Sequence, residues 1–183
     1  MHKIYENFDM IILTHLHWDH ASGLKYLSES RVLVQKSELD FSLCPSEKQE
    51  RYYDYKSNDS YLNGNSFELI KGDYSLSEHA NLVYLPGHTP GSQGLLLEQG
   101  DSSILIAGDA IPLFENWYTD NKRINGIFHD KNLFIETYEK IDSLATQVLP
   151  SHDSFVLSFF ENEELNEVSR KVKSYFSKNM GVI

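Results

Sequence analysis

The chain has 183 residues, 27 acidic and 16 basic, so its formal net charge is −11 at pH 7 and one domain over residues 1–183 is expected. This acidic balance argues against nucleic acid as a partner, because the protein would repel a phosphate backbone. No apolar run is long enough to span a bilayer, the first residues lack the apolar stretch of a signal peptide, and one cysteine, Cys44, excludes an internal disulfide, so a cytoplasmic location is expected.

The first predicted element is a short apolar run, Asp9–Thr14, which is typical of a buried parallel strand. Three histidines and an aspartate follow it within six residues. In an extended segment His15 and His17 project to the same side and can bind one cation, whereas Asp19 and His20 can face a second. Packing does not require such a cluster, so this loop is a candidate metal site.

The next segments predict a helix over Ala21–Glu29, a strand over Arg31–Gln35 and a short helix over Lys36–Leu43. Residues 45–65 are polar and rich in tyrosine. They can form a flap over a substrate, or a solvated helix and loop whose aromatic side chains pack on the body of the protein.

Further apolar runs predict successive strands of a sheet, and two long periodic patterns predict helices. The strands are expected over 67–70, 81–85, 94–98, 103–107 and 147–149, and the helices over 132–145 and 161–178. Three possible ligands, His88, Asp109 and His152, each follow a strand at a turn, which is a rigid place to hold a ligand. The order predicts an α/β protein whose strands bring ligands to one edge while helices cover the faces.

These motifs, spread from Asp9 to His152, resemble those of the metallo-β-lactamase superfamily. The resemblance implies a sandwich of two sheets with flanking helices. It implies a first metal held by His15, His17 and His88, a second held by Asp19, His20 and His152, and Asp109 bridging both. Imidazole and carboxylate ligands favour zinc, while manganese, iron and cobalt are chemically possible. His17 stands where redox-active di-iron members carry glutamate, which favours hydrolysis.

The sequence departs from the family at its beginning. The superfamily builds much of its first sheet from strands that precede the histidine-rich loop, whereas 14 residues precede His15 here. We therefore expect an N-terminally incomplete domain that lacks the N-terminal part of its first sheet. An exposed sheet face or strand edge predicts a homo-oligomer such as a dimer, or a partner that covers the missing layer.

The resemblance also implies a reaction, in which a lactone, ester or thioester carbonyl of a small molecule is hydrolysed. Two cations would lower the pKa of a bridging water toward roughly 7, giving a hydroxide that attacks the carbonyl carbon. Asp109 would bridge the ions, and Asp19 would also orient the nucleophile. The leaving group needs an acid or a metal-bound water, and the sequence leaves both open.

The N-acyl homoserine lactonase branch is the most similar within the family. Three features of this chain are similar to that branch: the sequence separation between Asp109 and His152, the aromatic insert 114–128 between these two residues, and the aromatic residue at position 18. That branch carries a tyrosine three residues after the bridging aspartate, where this chain has Pro112, which cannot donate a hydrogen bond. The residues expected to contact the substrate are Trp18, Trp117 and Tyr118, although aromatic residues of an insert can instead anchor the loop.

Two alternatives stay open. The stretch Pro86–Ser92 is similar to glyoxalase II-like thioesterases, which use basic residues to hold an anionic glutathione group; Lys122 and Arg123 could do this, or could lie in a solvated turn. The other alternative is a truncated metal-binding module without turnover, which an assay on lactones and esters would distinguish from an enzyme.

Overall fold

Residues 8–27, 30–53, 66–118, 122–154 and 156 are described by a computed structural model, and they form two β-sheets with helices outside them. The first sheet is parallel, in the order β1 (Met10–Ile12), β2 (Arg31–Gln35) and β3 (Ser66–Ile70). The second follows chain order from β4 (Tyr74–Ser77) through β5 (Ala80–Tyr84), β6 (Gln93–Gln99) and β7 (Ser102–Ile106) to β8 (Gln147–Leu149). In it, β4 to β7 are antiparallel neighbours, and β8 runs parallel to β7.

The helices are α1 (Trp18–Ala21), α2 (Lys36–Leu43), α3 (Phe114–Trp117) and α4 (Lys131–Leu144). Single 3₁₀ segments cover Ser22–Tyr26, Glu50–Tyr52 and Gly108–Ala110. The long helix α4 begins where the Asp130 side chain accepts hydrogen bonds from the amides of Asn132 and Leu133, a typical N-cap. Within the described ranges, no helix has both the length and the apolar character required to cross a membrane.

The alternation of side chains along the strands separates the core into layers. In β2, Val32 and Val34 pack beneath the α1 segment, whereas Leu33 points the other way and contacts Leu82 of the second sheet. The outer face of the second sheet packs against α4 through residues such as Phe134. A strand with period-two alternation can bury both faces only between two layers, so the fold is a two-sheet sandwich with outer helices, as predicted.

Three details differ from the sequence-based expectations. β3 pairs with β2, so it does not belong to the sheet of the later strands. β4, which is polar and largely exposed, was not predicted. The helix expected over Ala21–Glu29 is the short α1 followed by a 3₁₀ turn, since Ser22 and Gly23 disfavour a continuous α-helix. The helix expected over 161–178 lies outside the described residues.

The sheet directions bring the loops of interest to one edge. Strand β6 is antiparallel to both β5 and β7, and β8 is parallel to β7, so β5, β7 and β8 all end at the same edge. The end of β1 reaches that edge as well, because Gln93 at the start of β6 hydrogen-bonds the carbonyls of Leu13 and Thr14. Gly108 has a positive φ of 55°, and a Cβ atom there would lie 2.8 Å from Thr14. This close approach places the loop after β1 beside the loop after β7.

Candidate metal centre

The structure brings all the expected metal-binding side chains to this edge. His15, His17, Asp19 and His20 lie in the loop after β1 and in α1, His88 follows β5, Asp109 lies in the 3₁₀ turn after β7, and His152 follows β8. They form overlapping groups whose ligand atoms lie within 4.8 Å of one another, namely His15 with His17 and His88, His15 with His20 and Asp109, and Asp19 with His20 and His152.

The first group consists of three buried imidazoles. The Nδ1 atom of His17 lies 3.1 Å from Nε2 of His88. The outer nitrogens of both rings have partners: His17 Nε2 faces Oε1 of Gln49 at 3.1 Å, and His88 Nδ1 faces the carbonyl of Ile127 at 2.8 Å. Since an amide or carbonyl oxygen can only accept, the outer nitrogens carry the protons, and the inner nitrogens present lone pairs to each other.

His15 provides the observation that tests whether a metal fits. Its side chain is fully buried, and its Nε2 atom has no hydrogen-bond partner among the described residues, while Nδ1 lies 3.1 Å from the hydroxyl of Thr14. A buried polar atom without a partner is unfavourable unless something else satisfies it. A cation bound by three imidazole nitrogens would satisfy it, and this donor set suits zinc.

The second group is more exposed and includes both acids. His20 Nε2 lies 3.2 Å from Nε2 of His152, and each of these atoms lies close to Oδ1 of Asp109, at 3.2 and 3.1 Å. The Asp19 carboxylate is farther away, 3.6 Å from His20 and 3.7 Å from His152. Two imidazoles and two carboxylates of this kind offer a mixed set of nitrogen and oxygen donors that suits a divalent cation.

Asp109 lies between the groups. Its Oδ2 atom is 3.4 Å from Nε2 of His88 in the first group, whereas Oδ1 faces the second group. Ser151 donates a hydrogen bond of 2.6 Å to Oδ1, and Nδ2 of Asn125 donates one of 2.8 Å to the backbone carbonyl of Asp109. The carboxylate is therefore held in an orientation that directs one oxygen to each group.

The electrostatics give the three imidazoles of the first group and Asp109 the protonation states that a metal requires. Burial lowers the pKa of His17 to about 3, and it also lowers the pKa values of His15 and His88 below their ordinary range. Burial alone would raise the pKa of Asp109, but the hydrogen bond with His20 and the nearby imidazoles lower it below its ordinary value. Neutral imidazoles and an ionised carboxylate are the forms that bind cations.

Several supporting residues were not identified from the sequence. Gln49 is buried, accepts from His17 and donates to the carbonyl of His88 over 2.9 Å, so it connects two of the ligand-bearing loops. Asn125 and Ser151 position Asp109, and Glu38 is fully buried behind the loop after β1. Only Ser151, as the neighbour of His152, stands close to a ligand in the sequence.

The tyrosine-rich segment 45–65 is described up to Tyr53. Tyr53 is buried, and the ring of Tyr52 lies 5.1 Å from that of His17. Both rings pack on the body of the protein at the edge of the metal-binding loops. The residues expected to form the rest of the flap or loop, including Tyr55 and Tyr61, lie outside the described part of the chain.

The three aromatic residues expected to contact the substrate lie in different surroundings. Trp18 is 51% exposed and adjoins His17 at the edge of the site. Trp117 is 8% exposed and packs against Tyr138 in the core beneath α4. The hydroxyl of Tyr118 donates to the carbonyl of Val148 and accepts from its amide at 2.9 Å, which attaches this residue to β8.

The basic residues considered for an anionic substrate also have defined places. The Lys122 ammonium lies 3.6 Å from the centre of the Trp117 ring and forms an ion pair with Asp142. The Arg123 side chain is exposed, and its carbonyl accepts hydrogen bonds from Asn116 and Tyr138. The Lys122 side chain thus contacts residues of α3 and α4.

Comparison with known proteins places this geometry in context. The sequence model of the metallo-β-lactamase superfamily matches residues 6–174. An N-acyl homoserine lactonase of Bacillus cereus is 33% identical over 146 residues, which cover 79% of this chain and 54% of that protein. An N-acyl homoserine lactonase of Bacillus thuringiensis is 34% identical over 62% of this chain and 43% of its own. The chain spans about half the length of the curated relatives it matches.

Solved structures agree with the sequence comparisons. A mutant of AiiA from B. thuringiensis, with N-decanoyl-L-homoserine bound at its active site, has a TM-score of 0.66 and 27% identity, covering 82% of this chain and 58% of that one. AidC, a dizinc quorum-quenching lactonase, has a TM-score of 0.62 over 81% of this chain and 58% of its own, and at 19% identity it supports the fold alone.

Proposed function

The chain belongs to the metallo-β-lactamase superfamily, and from this premise we propose that it is a metal-dependent hydrolase that opens the ring of N-acyl homoserine lactones. The observation that carries the proposal is the fully buried Nε2 of His15, which lacks a partner among the described residues and lies among the other ligand atoms. The relatives that are N-acyl homoserine lactonases support the substrate class. Nε2 of His152 lies 3.7 Å from the carboxylate of Asp19 and 3.1 Å from that of Asp109, and these short distances support a site that acts as a unit.

We assign the ligands to two ions, most consistent with zinc. The first ion would be held by His15, His17 and His88, the second by Asp19, His20 and His152, and Asp109 would bridge both. Bound divalent ions supply Lewis acidity toward a carbonyl oxygen and lower the pKa of water. The residues of this chain supply the neutral imidazoles, the ionised bridge and the orientation of the substrate.

Asp19 has a second role in this proposal. Its carboxylate is partly exposed and lies beyond hydrogen-bond distance from His20 and His152, at 3.6 and 3.7 Å. An oxygen of Asp19 can therefore accept a hydrogen bond from the attacking water, which orients that water toward the lactone carbonyl. Trp18, at the edge of the site, covers the acyl group and displaces water from it.

The experiment is a hydrolysis assay on the purified chain loaded with Zn²⁺ and, separately, stripped by a chelator. Substrates are N-acyl homoserine lactones of different chain length, an aryl ester and a glutathione thioester, with acid release followed by pH-stat. We expect metal-dependent ring opening that is lost in Asp109→Asn. The variant His79→Ala is the matched control, because His79 is an exposed histidine in the turn between β4 and β5.

Each outcome decides between the candidate functions. Ring opening that requires metal supports the lactonase proposal, whereas turnover confined to the glutathione thioester supports the glyoxalase II-like alternative. Metal binding without any turnover supports a metal-binding module. A homo-oligomeric state and a cytoplasmic location stay predictions, and the first is tested by native mass on the same sample.

A further inference from the structure

Glu38 is a fully buried carboxylate in the first turn of α2, outside the set of ligands. Its Oε1 atom accepts hydrogen bonds from the amide of Leu16 at 2.9 Å and the hydroxyl of Tyr53 at 2.8 Å. Its Oε2 atom accepts from the hydroxyl of Thr89 at 2.6 Å and the amide of Gly91 at 3.0 Å. Both oxygens are thus fully engaged by donors from three different parts of the chain.

The positions of these donors relate Glu38 to the metal centre. Leu16 lies between the ligands His15 and His17, and Thr89 directly follows the ligand His88. One side chain therefore fixes the backbone of both loops that supply the first group of imidazoles. The distance between those loops decides whether Nδ1 of His17 and Nε2 of His88 can reach one ion. These two nitrogen atoms lie 3.1 Å apart in the structure.

The backbone around Glu38 is shaped for this contact. A Cβ atom at Gly91 would lie 2.3 Å from the amide nitrogen and from Cβ of Glu38, so only glycine allows α2 to approach the loop after β5 this closely. Burial raises the pKa of the Glu38 carboxyl, and the four hydrogen bonds oppose that shift. A buried carboxyl group would be unfavourable for folding without these donors, and an apolar side chain would fill the same space more simply.

We propose that Glu38 is a positioning residue that holds the His15–His17 loop and the His88 loop at the separation required to bind the first metal ion. This inference rests on the proposed function, because it assumes that these imidazoles bind a metal. Glu38 does not touch the ion or the substrate. It acts through backbone amides, as residues behind metal ligands commonly do.

The substitution Glu38→Gln tests the proposal with little change in volume. Each carboxylate oxygen faces one backbone N–H, so either orientation of the amide places its NH₂ group against a donor at Leu16 or Gly91. This repulsion separates the two loops. We expect Zn²⁺ affinity, measured by competition with a chromophoric chelator, to fall about 10- to 100-fold.

Two controls separate positioning from general destabilisation. Ser103→Ala removes two partly buried hydrogen bonds away from the ligand loops, one donated to the carbonyl of Leu144 and one accepted from the amide of Thr146, and should lower the melting temperature with unchanged Zn²⁺ affinity. Tyr53→Phe removes one donor and keeps the carboxylate, and should weaken Zn²⁺ binding by a smaller factor than Glu38→Gln. If Glu38→Gln does not fold, Tyr53→Phe decides the question by the same titration.

The outcomes are distinct from those of the proposed function. Wild-type Zn²⁺ affinity in folded Glu38→Gln, or in Tyr53→Phe where the first variant fails to fold, would overturn the positioning role and leave the hydrolase proposal intact. An equal loss of affinity in Ser103→Ala would also overturn it. A wild-type chain that binds no Zn²⁺ would refute both proposals.

Discussion

His17 and Gln49 form a buried hydrogen bond of 3.1 Å between Nε2 of the ring and Oε1 of the amide. An amide oxygen accepts only, so the bond fixes the proton of His17 on Nε2 and leaves Nδ1 as the ligand atom. The same amide donates to the carbonyl of His88. A glutamine that sequence analysis did not single out thus selects the tautomer of one expected ligand and positions the loop of another.

Replacing Gln49 by leucine should weaken metal binding. The variant removes the acceptor for His17 and the donor to the carbonyl of His88, so we expect about a 10-fold loss of Zn²⁺ affinity, measured by chelator competition. His79→Ala is the control and should leave the affinity unchanged, because His79 is exposed in the turn between β4 and β5. Equal affinity in wild type and Gln49→Leu would show that the tautomer is fixed by other means.

Replacing Asp109 by alanine should remove the connection between the two groups of ligands. Asp109 directs Oδ2 toward His88 and Oδ1 toward His152, so its loss should reduce bound metal below about two ions per chain and abolish hydrolysis. Elemental analysis and a lactone assay check this. His79→Ala should change neither quantity, and retention of full activity by Asp109→Ala would mean that the centre has been placed wrongly.

The metal-free chain should lose stability in acid. The unfolded chain protonates His17 near pH 6.5, whereas the folded chain does so only near pH 3, so between these values the unfolded state binds more protons and the free energy of unfolding falls as the pH is lowered. The lowered pKa values of His15 and His88 act in the same direction. The raised pKa values of Glu38 and His20 oppose them, so that two groups act against three.

Urea unfolding of the chelator-treated protein measures this dependence. The midpoint should decrease from pH 6.5 toward pH 4. The zinc-loaded protein should hold its midpoint to lower pH, since the ion competes with protons for the same nitrogens. A midpoint of the metal-free chain that rises as the pH falls would show that these histidines are not held neutral by burial.

Trp18 and Trp117 should respond differently to substitution by alanine. Trp18 is largely exposed beside the site, so its loss should raise KM for long-chain lactones about 10-fold and leave the melting temperature unchanged. Trp117 is buried against Tyr138, and its loss should destabilise the fold by about 3–5 kcal/mol. Calorimetry and steady-state kinetics separate the effects, and an unchanged KM in Trp18→Ala would remove this residue from the substrate site.

Some strands of this fold could be predicted from local sequence patterns, and others could not. The strands that carry His88, Asp109 and His152 could be predicted, because each is an apolar run that ends at a Pro or Gly turn beside a possible ligand. β4 could not be predicted in this way, because its residues are largely polar and it forms by pairing with β5. Pairing of β3 with β2 depends on contacts between residues far apart in the chain, which periodicity does not encode.

Part of the candidate site could likewise be predicted from the sequence, and part could not. The residue types and their spacing predicted the seven side chains that the structure brings together, whereas Gln49 and Glu38 reach the site through contacts over 32 and 51 positions, to His17 and Thr89. Such residues have no local signal. The aromatic insert was also ambiguous in sequence, because Trp117 has the same local pattern whether it faces a substrate or the core.

The most direct measurement of the central claim is the amount of zinc bound per folded chain, determined by elemental analysis after loading and removal of excess metal. We predict about two ions per chain, because the seven side chains form two adjoining groups that share Asp109. A folded chain that binds no zinc, or that binds it equally well after Asp109→Ala and His88→Ala, would contradict the assignment of these side chains as ligands.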